Sequence, residues 1–135
     1  MKKIVLLLSI PCIMACNNDT KEISQVAYDY CMATANYRID DAEQYCTEET
    51  SNSTLVMARY LISLVDTAFI ASNTPAEIKI EKVERTSDTT AVVTYHNTTP
   101  LKSYSNTVDL LRRDGRWLVH LPLTAPEKEN TTAAQ

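Results

Sequence analysis

Two histidines and four cysteines are the residues best suited to chemistry in this chain of 135, and their neighbours limit what each can do. If Asp114-Gly115 turns a hairpin, pairing Arg113 with Arg116 sets Leu110 against Val119 and Asp109 against His120. An aspartate beside a histidine orients a general base. The period of two, however, puts this pair on the face away from Val108, Leu110, Trp117, Val119 and Leu121, where a solvated cross-strand charge pair is expected. His96 precedes Asn97-Thr98-Thr99-Pro100 and reads as a loop histidine. Asp66 is the best acid on a helix; lining a pocket, it would serve as a proton-abstracting base. Its polar neighbours Arg59, Ser63 and Thr67 suit a solvated edge instead.

Cys31 and Cys46 lie eight residues before and seven after Ile39, the expected corner between two antiparallel helices. A disulfide is expected there, and closing a loop of about 15 residues contributes roughly 3 kcal/mol in the chain-entropy account. Two separately buried thiols are the alternative. Without histidines nearby, two cysteines fall short of the four ligands of a structural zinc site, so no metal is expected, and no cofactor either.

Cys16 has a different setting. Met1-Lys2-Lys3 precedes an apolar run from Ile4 to Ile10, and Ala15 stands directly before the cysteine, which is the layout of a secretory signal. The run is far shorter than the roughly 20 residues that cross a bilayer. Ile13-Met14-Ala15-Cys16 resembles the lipobox cut by lipoprotein signal peptidase, whereas Cys12 follows Pro11, whose ring fixes the backbone. The resemblance implies a cleaved signal over 1–15, lipid on Cys16 and a tether over 16–21. It also implies a membrane-anchored lipoprotein of a bacterial cell envelope, facing the periplasm or the cell surface. An ordinary secretory signal with an unrelated cysteine is the alternative. Losing Lys2 and Lys3 takes the formal charge from −4 to −6. With no basic stripe, nucleic acid is not an expected partner.

The remaining residues suffice for one domain. Apolar residues at Ile23, Val26, Ala27, Tyr30, Cys31, Thr34 and Tyr37 mark one helical face. Asp40-Asp41-Ala42-Glu43 offers a cap for a short second helix. Leu55 to Ala71, capped by Asn52-Ser53-Thr54, is apolar nearly all round and reads as a central core helix with a narrow polar edge. After Pro75 the period becomes two, and four strands follow: one at Ile78 and Ile80, one over 91–95, one over 105–111 and one over 116–121. Residues 125–135 are polar and patternless and read as a disordered tail. The expected fold over 22–124 is α+β: three N-terminal helices packed on a curved antiparallel sheet of about four strands.

That order, ending in Leu110-Leu111-Arg112-Arg113-Asp114-Gly115-Arg116-Trp117-Leu118-Val119, resembles the nuclear transport factor 2-like superfamily with its cystatin-like α+β roll, and within it small bacterial lipoproteins of unknown function. The resemblance implies a cone with a pocket between helices and sheet. It implies no single activity, since the superfamily holds ketosteroid isomerase, dehydratases, polyketide cyclases and many non-enzymes. Three functional readings stand. The first is non-catalytic binding of a small apolar or amphipathic molecule or of a protein. The second is an isomerase, dehydratase or cyclase with Asp66 as base. The third is a dimeric accessory of an envelope complex, pairing through the outer sheet face at Leu111 and Leu118. Tyr28, Tyr30, Tyr37, Tyr45 and Tyr60 on predicted helices favour the first, because an apolar body with a polar tip suits such a ligand; core packing explains them as well. Asp88-Thr89-Thr90 and Asp66-Thr67-Ala68 resemble a short sequence O-glycosylated in some bacterial envelope proteins.

Overall fold

The structure, a computed structural model, describes residues 13–124, with side chains from Asn18 onward. The expected signal, the Cys16 side chain and the tail over 125–135 lie outside the described residues, apart from the backbone of 13–15.

Helix α1 spans Ile13–Ala35. It therefore starts before Ile23 and takes in the polar stretch expected as a tether. The cause is tertiary: Asp19 pairs with Arg85 at 3.0 Å and faces Arg112 at 3.9 Å, while the Glu22 carboxylate accepts the Trp117 backbone N–H. Ile23, Ala27, Tyr30 and Cys31 fill its inner face, as their spacing predicts.

Tyr37 ends the helix in the left-handed region, at φ 62. Its N–H reaches the Thr34 carbonyl and that of Arg38 reaches Ala33, the paired bonds of a Schellman cap. Helix α2, Ile39–Ala42, follows and runs into a 3-10 turn over Glu43–Tyr45. Asp40 does not cap it. Arg38 precedes it with no side-chain cap, and Asp40 and Asp41 sit in its first turn.

The expected central helix differs most from expectation. Thr47, not Asn52-Ser53-Thr54, is the N-cap, accepting the Thr50 N–H ahead of α3, Glu48–Thr50. The helix continues through a π-helical segment, Ser51–Leu55, into α4, Val56–Ser63. It then breaks, and α5, Thr67–Ser72, restarts beyond Asp66. From Ser51 to Ser72 only Leu55 is fully buried. The stretch is a broken surface arm, not a core helix.

Strands β1 (Glu77–Arg85), β2 (Thr90–Thr98), β3 (Ser103–Arg113) and β4 (Arg116–Val119) form an antiparallel meander in sequence order. Asp114 and Gly115 both have positive φ, 53 and 75, the backbone a two-residue hairpin turn requires. The register is the expected one, Leu110 opposite Val119 and Arg112 opposite Trp117. Val93, Val108, Leu110, Trp117 and Val119 pack against α1. The free edge of β4 is covered at Val119, which Cys46 bridges in parallel and whose carbonyl takes the Thr47 N–H at 2.9 Å, and at the hairpin end Arg113 of β3 pairs with Glu49 at 2.7 Å. No helix among the described residues is long and apolar enough to cross a membrane.

Candidate functional site

Where α1 ends and α4 passes over it, the helices leave an open cavity of about 330 Å³. Tyr30, Thr34 and Tyr37 of α1 form one wall and Ile39 of α2 the floor. Thr54, Leu55, Ala58, Leu61 and Ile62 form the other wall. The lining is apolar with four hydroxyl groups and no ionisable acid, amine, imidazole or thiol. Burial, and then the neighbouring Cys46 and Cys31, push the Tyr30 phenol up, so it stays a neutral hydrogen-bonding group. Tyr37 accepts a bond from Asn73 Nδ2 at 3.0 Å. A left-handed tyrosine costs roughly 1 kcal/mol or more where glycine would cost nothing, and such residues cluster where a ligand is gripped.

Beside this cavity, and sharing Tyr37, Ile39 and Ile62 with it, runs a charged groove of about 480 Å³ lined by Arg38, Asp40, Asp41 and Arg59. Arg59 holds Asp40 and Glu43, and Arg38 lies 3.6 Å from Asp41. An apolar slot thus opens beside a polar shelf.

The other candidate residues lie elsewhere. Asp66 is exposed and caps α5, its carboxylate accepting the Ala68 N–H at 2.9 Å. That bond explains the break before α5 and removes Asp66 from the cavity wall. His120 does face Asp109, but through the backbone, its N–H bonding the Asp109 carbonyl at 2.8 Å. Its ring turns to buried Thr47, with Nδ1 2.9 Å from Oγ1. Thr50 Oγ1 accepts the Leu121 N–H and lies 2.8 Å from Thr47 Oγ1, which accepts the Thr50 N–H. Among these bonds, both hydroxyl protons are used when Thr50 donates to Thr47 and Thr47 donates to Nδ1. His120 therefore pins α3 to the end of the sheet instead of pairing with Asp109. The Thr47-Glu48-Glu49-Thr50 sequence carries a capping signal that could have revealed this pin.

His96 lies within β2, not in a loop, 2.9 Å from Ser105 Oγ and 2.5 Å from Ser103 Oγ, with Glu81 at 3.5 Å. A serine, histidine and glutamate in line suggest acyl transfer, but they sit on the open outer sheet face, where nothing excludes water. Asp88-Thr89-Thr90 occupies an exposed turn. Tyr60 points outward at 60% exposure. Among the described residues no group of three acidic, histidine or cysteine side chains converges as a metal site would.

Cys31 and Cys46 are both buried and both free, so the expected disulfide is not formed in this structure. The antiparallel-helix geometry behind it does not hold, because Cys46 is extended and bridged to Val119. Burial pushes the Cys31 thiol up to about 12, against a lowering by Tyr95; burial and then the Glu43 charge push Cys46 up to about 11. Only the thiolate is alkylated. Iodoacetamide at pH 8 is therefore expected to spare both in the folded protein, and alkylation should set in at Cys46 first as the pH rises toward 11. Peptide mass after unfolding without reductant should show adducts at both positions. Adducts that require reductant would show a disulfide instead.

Comparison with protein-family models finds no match, and no curated protein matches either. Solved structures do. One is a Campylobacter jejuni protein provisionally named an NTF2-like transpeptidase, 14% identical with a TM-score of 0.55 over 73% of this chain and 96% of that one. The fold is nuclear transport factor 2-like. A second neighbour is an NTF-2 like protein of unknown function from Shewanella oneidensis, 16% identical with a TM-score of 0.53, covering 76% of this chain and 97% of its own. At these identities the likeness concerns the fold alone. The nuclear transport factor 2-like architecture accommodates both binders and enzymes, so the reading of function rests on the cavity.

Proposed function

We propose that the chain is a lipid-anchored protein of a bacterial envelope whose domain binds a small apolar or amphipathic molecule, without covalent chemistry, in the cavity between α1, α2 and α4. The observation that carries the binding half is the lining. A general base needs a titratable group within reach of the substrate; the nine lining residues offer only the phenols of Tyr30, which burial keeps neutral, and Tyr37, with no acid, amine, imidazole or thiol side chain. An apolar wall with a few hydroxyls is instead what holds and orients a small ligand. The charged shelf of Arg38, Asp40, Asp41 and Arg59 suits the polar end of an amphipathic one. Asp66 as general base finds no support, its carboxylate being engaged as a cap on an exposed turn. Envelope anchoring is supported by the sequence pattern around Cys16.

N-phenylnaphthylamine, an uncharged fluorophore, tests the cavity. One saturable site is expected, weakened about tenfold or more when Ala58→Phe fills the space, equivalent to roughly 1.4 kcal/mol or more. Tyr60→Glu, on the outward face of the same helix, should leave the affinity unchanged. Binding that ignores Ala58→Phe lies elsewhere, and a chain with no saturable site is not a binder of this kind.

A further inference from the structure

From Val56 to Val65 the chain is apolar all round except at Arg59 and Ser63, a pattern that belongs to a helix covered on both sides. The inner side of α4 packs on the core and walls the cavity, with Ala58 and Ile62 partly buried and Leu55, just before it, buried. Its outer side is not covered. Val56, Met57, Tyr60, Leu61 and Leu64 are 46% to 66% exposed, in two adjacent rows at helical spacing, and Phe69 of α5 adds a side chain 48% exposed. By contrast, the outer sheet face presents Lys79, Lys82, Glu84 and Asp109, with Leu111 and Leu118 only partly exposed.

We propose that the outward face of α4, extended by Phe69, is the surface through which two copies of this chain pair about a two-fold axis. Three properties select a second copy. The face is self-complementary: with two α4 helices antiparallel across an axis at Tyr60, Val56 of one copy meets Leu64 of the other, four residues to either side. Its six side chains are uncharged, so two acidic chains, each formally −4 and −6 without Lys2 and Lys3, bring no like charges together at those positions. Its size is also adequate. These side chains expose on the order of 600 Å², large for an apolar patch on a monomer and most of the roughly 800 Å² per partner of a stable interface. Of these side chains only Leu61 also lines the cavity, at its rim, while Val56, Met57, Tyr60, Leu64 and Phe69 do not, so pairing through them does not depend on the ligand reading. It places a dimer on the helical arm, where the sequence pointed to the sheet.

Cysteine cross-linking of the full chain in membranes of expressing cells tests it. Met57, Tyr60, Leu61 and Leu64 are changed singly to cysteine, with Thr107→Cys on the outer sheet face for comparison. Mild oxidation should give a reducible homodimer, twice the monomer mass, from at least one α4 position, above the level of the unsubstituted protein, and none from Thr107→Cys. In sedimentation, Leu64→Glu should be a monomer at concentrations where the unsubstituted chain is a dimer, with the same circular dichroism. No homodimer from any α4 position, a homodimer from Thr107→Cys alone, cross-linking to a different protein, or a Leu64→Glu dimer of unchanged affinity would each overturn the proposal.

Discussion

Trp117→Ala is expected to cost about 3–5 kcal/mol, a large part of the roughly 5–15 kcal/mol that holds a domain of this size. Trp117 is 1% exposed and is the largest of the fully buried side chains. It stands where β4 meets α1, flanked by Val119 and opposite Arg112. The Arg85 guanidinium lies 5.4 Å from its ring centroid, and the same arginine grips Asp19 of α1. Removing the ring leaves a cavity and also frees the arginine that docks the helix. Trp117→Phe should cost markedly less, for a reason beyond size. The indole Nε1 is buried with no acceptor among the described residues, and phenylalanine removes that unpaired donor together with part of the ring. Urea unfolding followed by circular dichroism gives both numbers without relying on fluorescence, since this is the chain's one tryptophan. An alanine variant within about 1 kcal/mol of the parent would mean that the sheet and α1 are held by something other than this contact.

The parts of this molecule that depend on near neighbours were legible in the sequence. Asp114-Gly115 specified its turn, the turn specified the register, and the register separated buried Val108, Leu110, Trp117 and Val119 from exposed Asp109. The parts that depend on distant pairings were not. Asp19 meets Arg85 across 66 positions, so a polar stretch that looked like a tether is helix. Tyr37 ends α1 in a conformation usually left to glycine, and no residue type announced it. The segment from Leu55 onward was ambiguous for a physical reason: a helix apolar on every side has no periodicity to show which face meets the core. Asp66 then broke it through a local bond, because a short carboxylate prefers the next turn's N–H groups to a place inside a helix. Cys31 and Cys46 looked level only if both lay on helices, and one does not. Of the candidate site, Tyr30 and Tyr37 were visible as helical tyrosines; Thr54 and Ala58 became wall residues only when α4 was seen to turn its other face outward.

Under the proposed anchoring, Cys16→Ser is expected to abolish incorporation of labelled palmitate and to leave the chain at its full mass of 15.2 kDa. The parent should lose residues 1–15 and gain the mass of its acyl groups. The effect is large because the sulfur is the attachment point. Each buried methylene contributes about 0.8 kcal/mol, and stable anchoring needs more than one chain. Cys12→Ser, behind Pro11, should change neither measurement. The fold adds a geometric consequence. Asp19, gripped by Arg85 and close to Arg112, is three residues beyond Cys16, so at most about 10 Å of chain separates lipid from docked domain. From Asp19 to Ala35, α1 rises about 24 Å, which carries Tyr37, the cavity and α4 away from the lipid-bearing end. A ligand or a second copy would therefore meet the arm on the side turned from the anchor. Palmitate labelling that survives in Cys16→Ser, or a parent protein found intact with that thiol free, would remove the membrane from this picture while leaving the cavity and the helical face to be tested on their own.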